Sequence, residues 1–151
     1  MTKIKISGIS YRPGYGDMLG GYHEVVLTKD KRGSWTYVTS DREDHRAPTA
    51  TTVYAVADEA VAQLEAFIWE KEILSLADRP ESDLFATDYS PWSWSIDYET
   101  TSFGETKQEY CTIEEYKLYS KDDYTLLNEL RERFTALQGE KISETVNKND
   151  R

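Results

Sequence analysis

With 151 residues, of which 30% are charged and 38% hydrophobic, the chain is long enough to bury one core, and no stretch approaches the roughly 20 apolar residues of a membrane-spanning helix. Its formal charge of −10 is uneven: residues 1–50 carry eight Lys/Arg against six Asp/Glu, whereas residues 51–151 carry ten against twenty-two. Such a field repels nucleic acid and anionic membranes and steers cationic partners inward.

Disordered acidic chains are poor in aromatics, but this one holds 4 Trp, 11 Tyr and 4 Phe at structural periods, so it folds. A single cysteine, Cys111, excludes an internal disulfide and fits a reducing cytoplasm. The opening MTKIKISGIS has no apolar run after its lysines, so no export signal is expected.

Residues 3–9 (KIKISGI) set Ile4 and Ile6 against Lys3 and Lys5, which predicts a half-buried strand. YRPGYGDMLGG, 11–21, reads as a long loop. YHEVVLTK (22–29) predicts a second strand, DKRG a turn with Gly33 at positive φ, and SWTYVTS (34–40) the returning arm of a hairpin. DREDHRAPTA (41–50) is a charged loop, and TTVYAVA (51–57) a fourth strand.

The period then changes. From Asp58 to about Ile73, Val61, Leu64, Phe67, Ile68 and Trp69 form a broad apolar stripe at helical spacing, with Asp58 as N-cap and Glu59 in the first turn. Residues 77–91, with two prolines and four acids, form a surface crossing. Strands at 92–99 and 106–113 make a hairpin around TTSFGE. SKDD (120–123) starts a second helix with Tyr124, Leu127, Leu130, Phe134 and Leu137 on one face and Gly139 as its stop. The polar KISETVNKNDR is expected to fray. The order ββββ-α-ββ-α predicts a two-layer α+β sandwich: a mostly antiparallel sheet of about six strands with two helices on one face, residues 1–138, then a polar tail, 139–151.

The stretch SPWSWSIDY (90–98) tests this layering. Trp92, Trp94, Ile96 and Tyr98 share one face of the strand; Ser93, Ser95 and Asp97 share the other. An exposed aromatic platform would leave its opposite face apolar for burial, and here that face is polar. The aromatic face therefore points into the core, against Leu64 and Ile68 or Leu127 and Phe134, with Trp92 at the rim.

Catalytic chemistry finds little support. Cys111 alternates onto the face of Ile113 and reads as a small buried hydrophobe, and His23 as a hydrogen-bonded strand residue. Asp41, Asp44 and His45 match no zinc spacing, and Arg42 and Arg46 oppose a cation, so no metal and no cofactor is expected. RPGYGDMLGG lacks the Gly-Lys-Ser/Thr of a phosphate loop. A glycosidase built on Asp97 has no room for a catalytic cleft in so small a two-layer domain.

VYAVADEAVAQLEAFIWE, then SWSIDY at 93–98, then DDYTLLNELRERF at 122–134 resemble a group of uncharacterised small α+β proteins of low-GC Gram-positive bacteria, over about residues 53–137. That group has a glycine-asparagine-proline-like segment before its last helix, where this chain reads TIEEYKLYSKDD. The resemblance implies a fold and carries no activity.

The resulting expectation is a non-catalytic cytoplasmic protein, an acidic inhibitor or immunity-like protein binding a basic protein partner. Residues 58–123 hold seventeen acids against five Lys/Arg, and the contact is expected in the loop 78–88, at Glu81, Asp83 and Asp88 with Phe85 or Tyr89 as anchor. The alternative is a small-ligand or carbohydrate-binding module using the aromatic strand and the 11–21 loop, which requires an accessible Trp92 or Trp35.

Overall fold

A computed structural model describes residues 3–13, 22–42, 48–78, 92–114 and 120–147. Its elements are β1 (Lys3–Pro13), β2 (Tyr22–Lys29), β3 (Trp35–Arg42), β4 (Thr49–Ala55), α1 (Asp58–Glu70), a 3-10 helix (Ile73–Asp78), β5 (Trp92–Ser102), β6 (Glu105–Glu114), α2 (Lys121–Thr135) and β7 (Lys141–Asn147). The strands form one seven-stranded sheet in the order β6-β5-β1-β2-β3-β4-β7, and every neighbouring pair is antiparallel. The protein is thus an α+β sandwich, with one strand and one short helix more than the sequence pattern suggests.

One sheet face is apolar because the alternating residues of five strands fall into register. Ile113, Trp94, Tyr11 and Val25 lie directly opposite one another across β6, β5, β1 and β2, and Ile96, Ile9, Leu27 and Tyr37 form the next row. Val61, Leu64, Phe67 and Ile68 of α1, Ile73 and Leu76 of the 3-10 helix, and Leu127, Leu130 and Phe134 of α2 join these rows in a single buried cluster. The opposite residues of β5, Ser93, Ser95 and Asp97, stay outside it. A sheet with one face packed and the other wet is the arrangement antiparallel strands permit.

Trp94 and Ile96 have no exposed surface, and the Trp94 ring meets Phe134 of α2 edge-on at 5.2 Å, so the aromatic strand faces the core as expected. Gly33 has the positive φ expected of it, and the β5–β6 turn holds two further residues in that region. Gly33 lies at φ 83° with Asp30 Oδ1 accepting from the Arg32 and Ser34 N–H groups, and Phe103–Gly104 (φ 53° and 83°) close β5–β6 in the manner of a two-residue hairpin loop.

Several boundaries differ for physical reasons. β1 continues to Pro13 because Tyr11 pairs with Val25 on one side and Trp94 on the other, which takes residues 11–13 out of the expected loop. A bulge between Ile6 and Gly8 shifts the alternation, so that Ile6 and Ile9, three apart, both enter the core; beside it the Ile6 N–H donates to Glu65 Oε1 of α1 at 2.6 Å. Ala57, without a side-chain bond, is the N-cap of α1, and Asp58 is the first helical residue. α1 stops at Glu70, and Glu72 (φ 53°) turns the chain into the 3-10 helix that returns Ile73 and Leu76 to the core. Ser120 caps α2 as expected, accepting from the Asp123 N–H at 3.1 Å.

The largest correction concerns the tail. Residues Lys141–Asn147 form β7, paired with β4 from Thr49↔Asn147 to Tyr54↔Lys141. Gly139 does not stop α2, which ends at Thr135; it starts the union with β4, its N–H donating to Ala55 O at 3.0 Å while Ala55 N–H donates to Glu140 O at 2.7 Å. A Cβ at position 139 would stand 2.4 Å from Ala55 O, so only glycine allows this approach.

Candidate functional site

β1, β3 and β6 end, and β2, β4 and β5 begin, at the same end of the sheet. Under the C-terminal half of α2 at this end lies a cleft of about 290 Å³. Its apolar wall is Val25, Phe134 and the rings of Tyr11 and Tyr37, over Trp94. Its polar groups among the described residues are Arg131, His23, Thr39, Thr135 and Gln138.

Tyr11, Arg131, His23 and Tyr37 each have an identifiable partner. Tyr11 stacks on Trp94 with ring centroids 4.0 Å apart, and its hydroxyl accepts from Arg131 Nε at 3.0 Å. Arg131 Nη1 donates to Asn128 Oδ1 at 3.1 Å, one turn earlier on α2. Those two bonds fix the plane of the guanidinium against the cleft wall. His23 pairs through Nδ1 with Asp41 Oδ1, its direct neighbour across β2 and β3. The imidazole is thus a bonded strand residue, as expected. Tyr37 sits beneath Phe134, rings 5.5 Å apart, and burial raises its phenol above the ordinary value, against a smaller lowering by its hydrogen bond with Thr135.

A second depression lies at the end of α1, about 520 Å³ between Ile68, Trp69, Glu70, Glu72, Leu74 and Ser75. Trp69, placed in the buried stripe by sequence, is 47% exposed here. It follows Ile68 directly, about 100° further round the helix, and so falls on the edge of the stripe. The surrounding segment 58–78 carries Asp58, Glu59, Glu65, Glu70, Glu72 and Asp78 against Lys71 alone. Tyr124 of α2, also expected to be buried, is exposed to the same extent.

The expected contact residues Glu81, Asp83, Phe85, Asp88 and Tyr89 lie outside the described residues, as do Asp44, His45 and the side chain of Trp92. Trp35 is buried, 7% exposed, which removes one of the two tryptophans a sugar platform would use. Cys111 is half-buried opposite Ile96, and burial, aided by Asp78 and Asp97, pushes its thiol up to about 11. A thiol so raised is a poor nucleophile near neutrality. Among the described residues no three His, Cys, Asp or Glu side chains gather as a metal site, and no helix is long and apolar enough to cross a membrane.

Sequence reasoning missed Tyr11, assigned to a loop, and Arg131, to which it gave no role. An i, i+2 alternation Ile9–Tyr11 running into the glycine-rich segment was the available signal for the first. Arg131 sits one residue after buried Leu130 and three before buried Phe134, which puts it at the margin of the buried face of α2. No known protein family, curated protein or solved structure matches the chain.

Proposed function

We propose that the protein is a non-catalytic cytoplasmic binding protein whose acidic surface engages a basic protein partner, in the manner of an inhibitor or immunity-like protein. The observation that carries this reading is Trp69: half exposed, set in a depression between Glu70 and Glu72, within a segment of six acids and one lysine. Charge alone speeds encounter but does not hold a complex; a large aromatic that desolvates on contact does. A tryptophan beside carboxylates suits a lysine or arginine side chain, which gains both ring-face attraction and charge pairing. The acidic run continues beyond Asp78 through Glu81, Asp83 and Asp88, and with Phe85 and Tyr89 that loop belongs to the same proposed contact. The field opposes nucleic acid and anionic membranes as partners. The likeness to small α+β proteins of low-GC Gram-positive bacteria accompanies this proposal.

The test is to capture the partner from native cells at low salt, purify it, and follow binding kinetics. Charge reversal at Glu70 and Glu72, or at Glu81 and Asp83, should slow association and flatten its salt dependence. Trp69→Ala and Phe85→Ala should instead speed dissociation. A partner that is itself acidic, or whose association rate ignores both salt and these four charges, would sink the reading.

A further inference from the structure

β6 is the outermost strand on its side of the sheet, and it pairs with β5 without interruption from Ser102↔Glu105 to Ser93↔Glu114. Glu105 to Tyr110 are all exposed, and no described strand lies beyond them. Sheet edges are commonly guarded by a proline, a bulge or a covering segment, and this half of β6 has none of the three. We infer that β6 pairs antiparallel with β6 of a second copy of this chain, about a two-fold axis at Gln108.

The hairpin loop decides which backbone groups face outward. With Phe103 and Gly104 alone in the turn, Ser102 and Glu105 exchange both of their backbone bonds, and so does every second pair beyond them. Glu105, Lys107, Glu109 and Cys111 therefore turn their N–H and C=O groups to β5. Thr106, Gln108 and Tyr110 turn theirs to the free edge. A second β6 can meet those groups only with its own outward-facing residues, which restricts the register to a few steps.

Charge selects among these steps. With Gln108 opposite its own copy, Lys107 stands opposite Glu109 of the second chain, and Glu109 opposite its Lys107. These are two opposite-charge pairs at the closer, non-hydrogen-bonded spacing. Thr106 and Tyr110 then face each other twice, a β-branched residue against an aromatic one that is 73% exposed in the single chain. An axis at Glu109 would set that carboxylate against itself, and an axis at Lys107 would set two ammonium groups together. An axis at Tyr110 would leave Lys107 opposite buried Ile113. Gln108 leaves the axis open, since its side chain leans back across β5 towards Ser7 Oγ at 3.4 Å. The other edge is less suited: β7 is shorter, its register with β4 shifts near Val53, and Lys141 already pairs within the strand with Glu144 at 3.7 Å.

The contact spans about seven residues of each copy and about six backbone hydrogen bonds, a small interface, so a dissociation constant of roughly tens of micromolar is expected. Sedimentation velocity of the full chain from about 1 to 500 µM tests the inference in about 0.15 M salt, where repulsion between two chains of charge −10 is screened beyond ~8 Å while contact pairs persist. The chain should pass from monomer to dimer over that range, and the amides of Thr106, Gln108 and Tyr110 should exchange more slowly as dimer forms. Lys107→Glu and Glu109→Lys should each weaken the dimer by about tenfold, because each replaces two attractions with two repulsions. Both positions are exposed, so neither change touches the core. An equimolar mixture of the two variants should restore association, since one then brings two carboxylates and the other two ammonium groups to the contact. Trp69→Ala should leave dimerisation unchanged, which keeps the inference separate from the contact with a basic partner. A monomer at every concentration, a dimer indifferent to both single reversals, no recovery in the mixture, or protection confined to β7 amides would overturn it.

Discussion

Trp94 meets two rings from different parts of the chain, Tyr11 at 4.0 Å and Phe134 at 5.2 Å, and none of its surface reaches water. Trp94→Ala therefore leaves a cavity that neither a strand-held tyrosine nor a helix-held phenylalanine can fill by collapse. The expected loss is about 3–5 kcal/mol, read from the shift in a urea denaturation midpoint. Cys111 makes the opposite kind of prediction. Its thiol is raised from an ordinary 9.0 to about 11, so the fold favours the neutral form. The stabilisation linked to this group is fully present below pH about 9 and is lost as pH rises through about 11. Thiolate absorbance should titrate near the upper value, and alkylation at pH 8 should be slow until the protein is unfolded; a native rate equal to the unfolded one would contradict the burial. Trp94 was legible in the sequence because alternation with serine leaves only one face to bury. Trp69 was not, since a helical stripe defined by spacing alone is broader than the face that finally packs.

At the scale of elements, legibility followed the source of each element's order. α2 announces itself through an apolar stripe and a serine cap, and both are present. β7 has no such face: the described side chains from Lys141 to Val146 are all exposed, and the strand is held to β4 through its backbone. Backbone pairing leaves no trace in hydrophobic periodicity, so a polar, β-branched segment read as a tail. The β1 bulge was hidden for a related reason, because a shift of alternation breaks the period-two signal on which strand reading depends. Gly139 is the residue on which β7 turns. Gly139→Ala puts a methyl 2.4 Å from Ala55 O, and relieving that clash must push β7 away from β4. A loss of about 1–3 kcal/mol is expected, with faster hydrogen exchange in β4 and β7 than in β1 or β5. Uniform acceleration across the sheet would mean that β7 does not open separately.

For the whole molecule the dominant quantity is charge. A formal −10 on 151 residues means the folded chain repels itself, the more so because segment 58–78 concentrates six acids beside one lysine. Added salt should therefore raise the melting temperature: between about 0.01 M, where screening acts over ~30 Å, and about 1 M, where it acts over ~3 Å, most of the repulsion disappears. A melting temperature that falls over that range would imply that attractive surface pairs such as Arg133–Glu129 and Lys141–Glu144 outweigh the repulsion. The candidate site was only partly visible from this scale. Net charge points to an acidic contact, but it cannot reveal a cleft whose lining departs from the average, because that depends on which residues of β1, β2, β3, β5 and α2 meet.

The pairing of β4 with β7 also dictates a schedule for synthesis. β4 emerges from the ribosome early, and its partner residue for Tyr54 is Lys141. At roughly 5–20 residues per second, that interval of almost ninety residues takes several seconds. Throughout it, TATTVYA, a strand with no charge and no proline, presents one edge without its final neighbour. Slower elongation through the second half of the message would lengthen this window, so codon choice downstream of β4 should influence how much of the nascent protein is lost to aggregation.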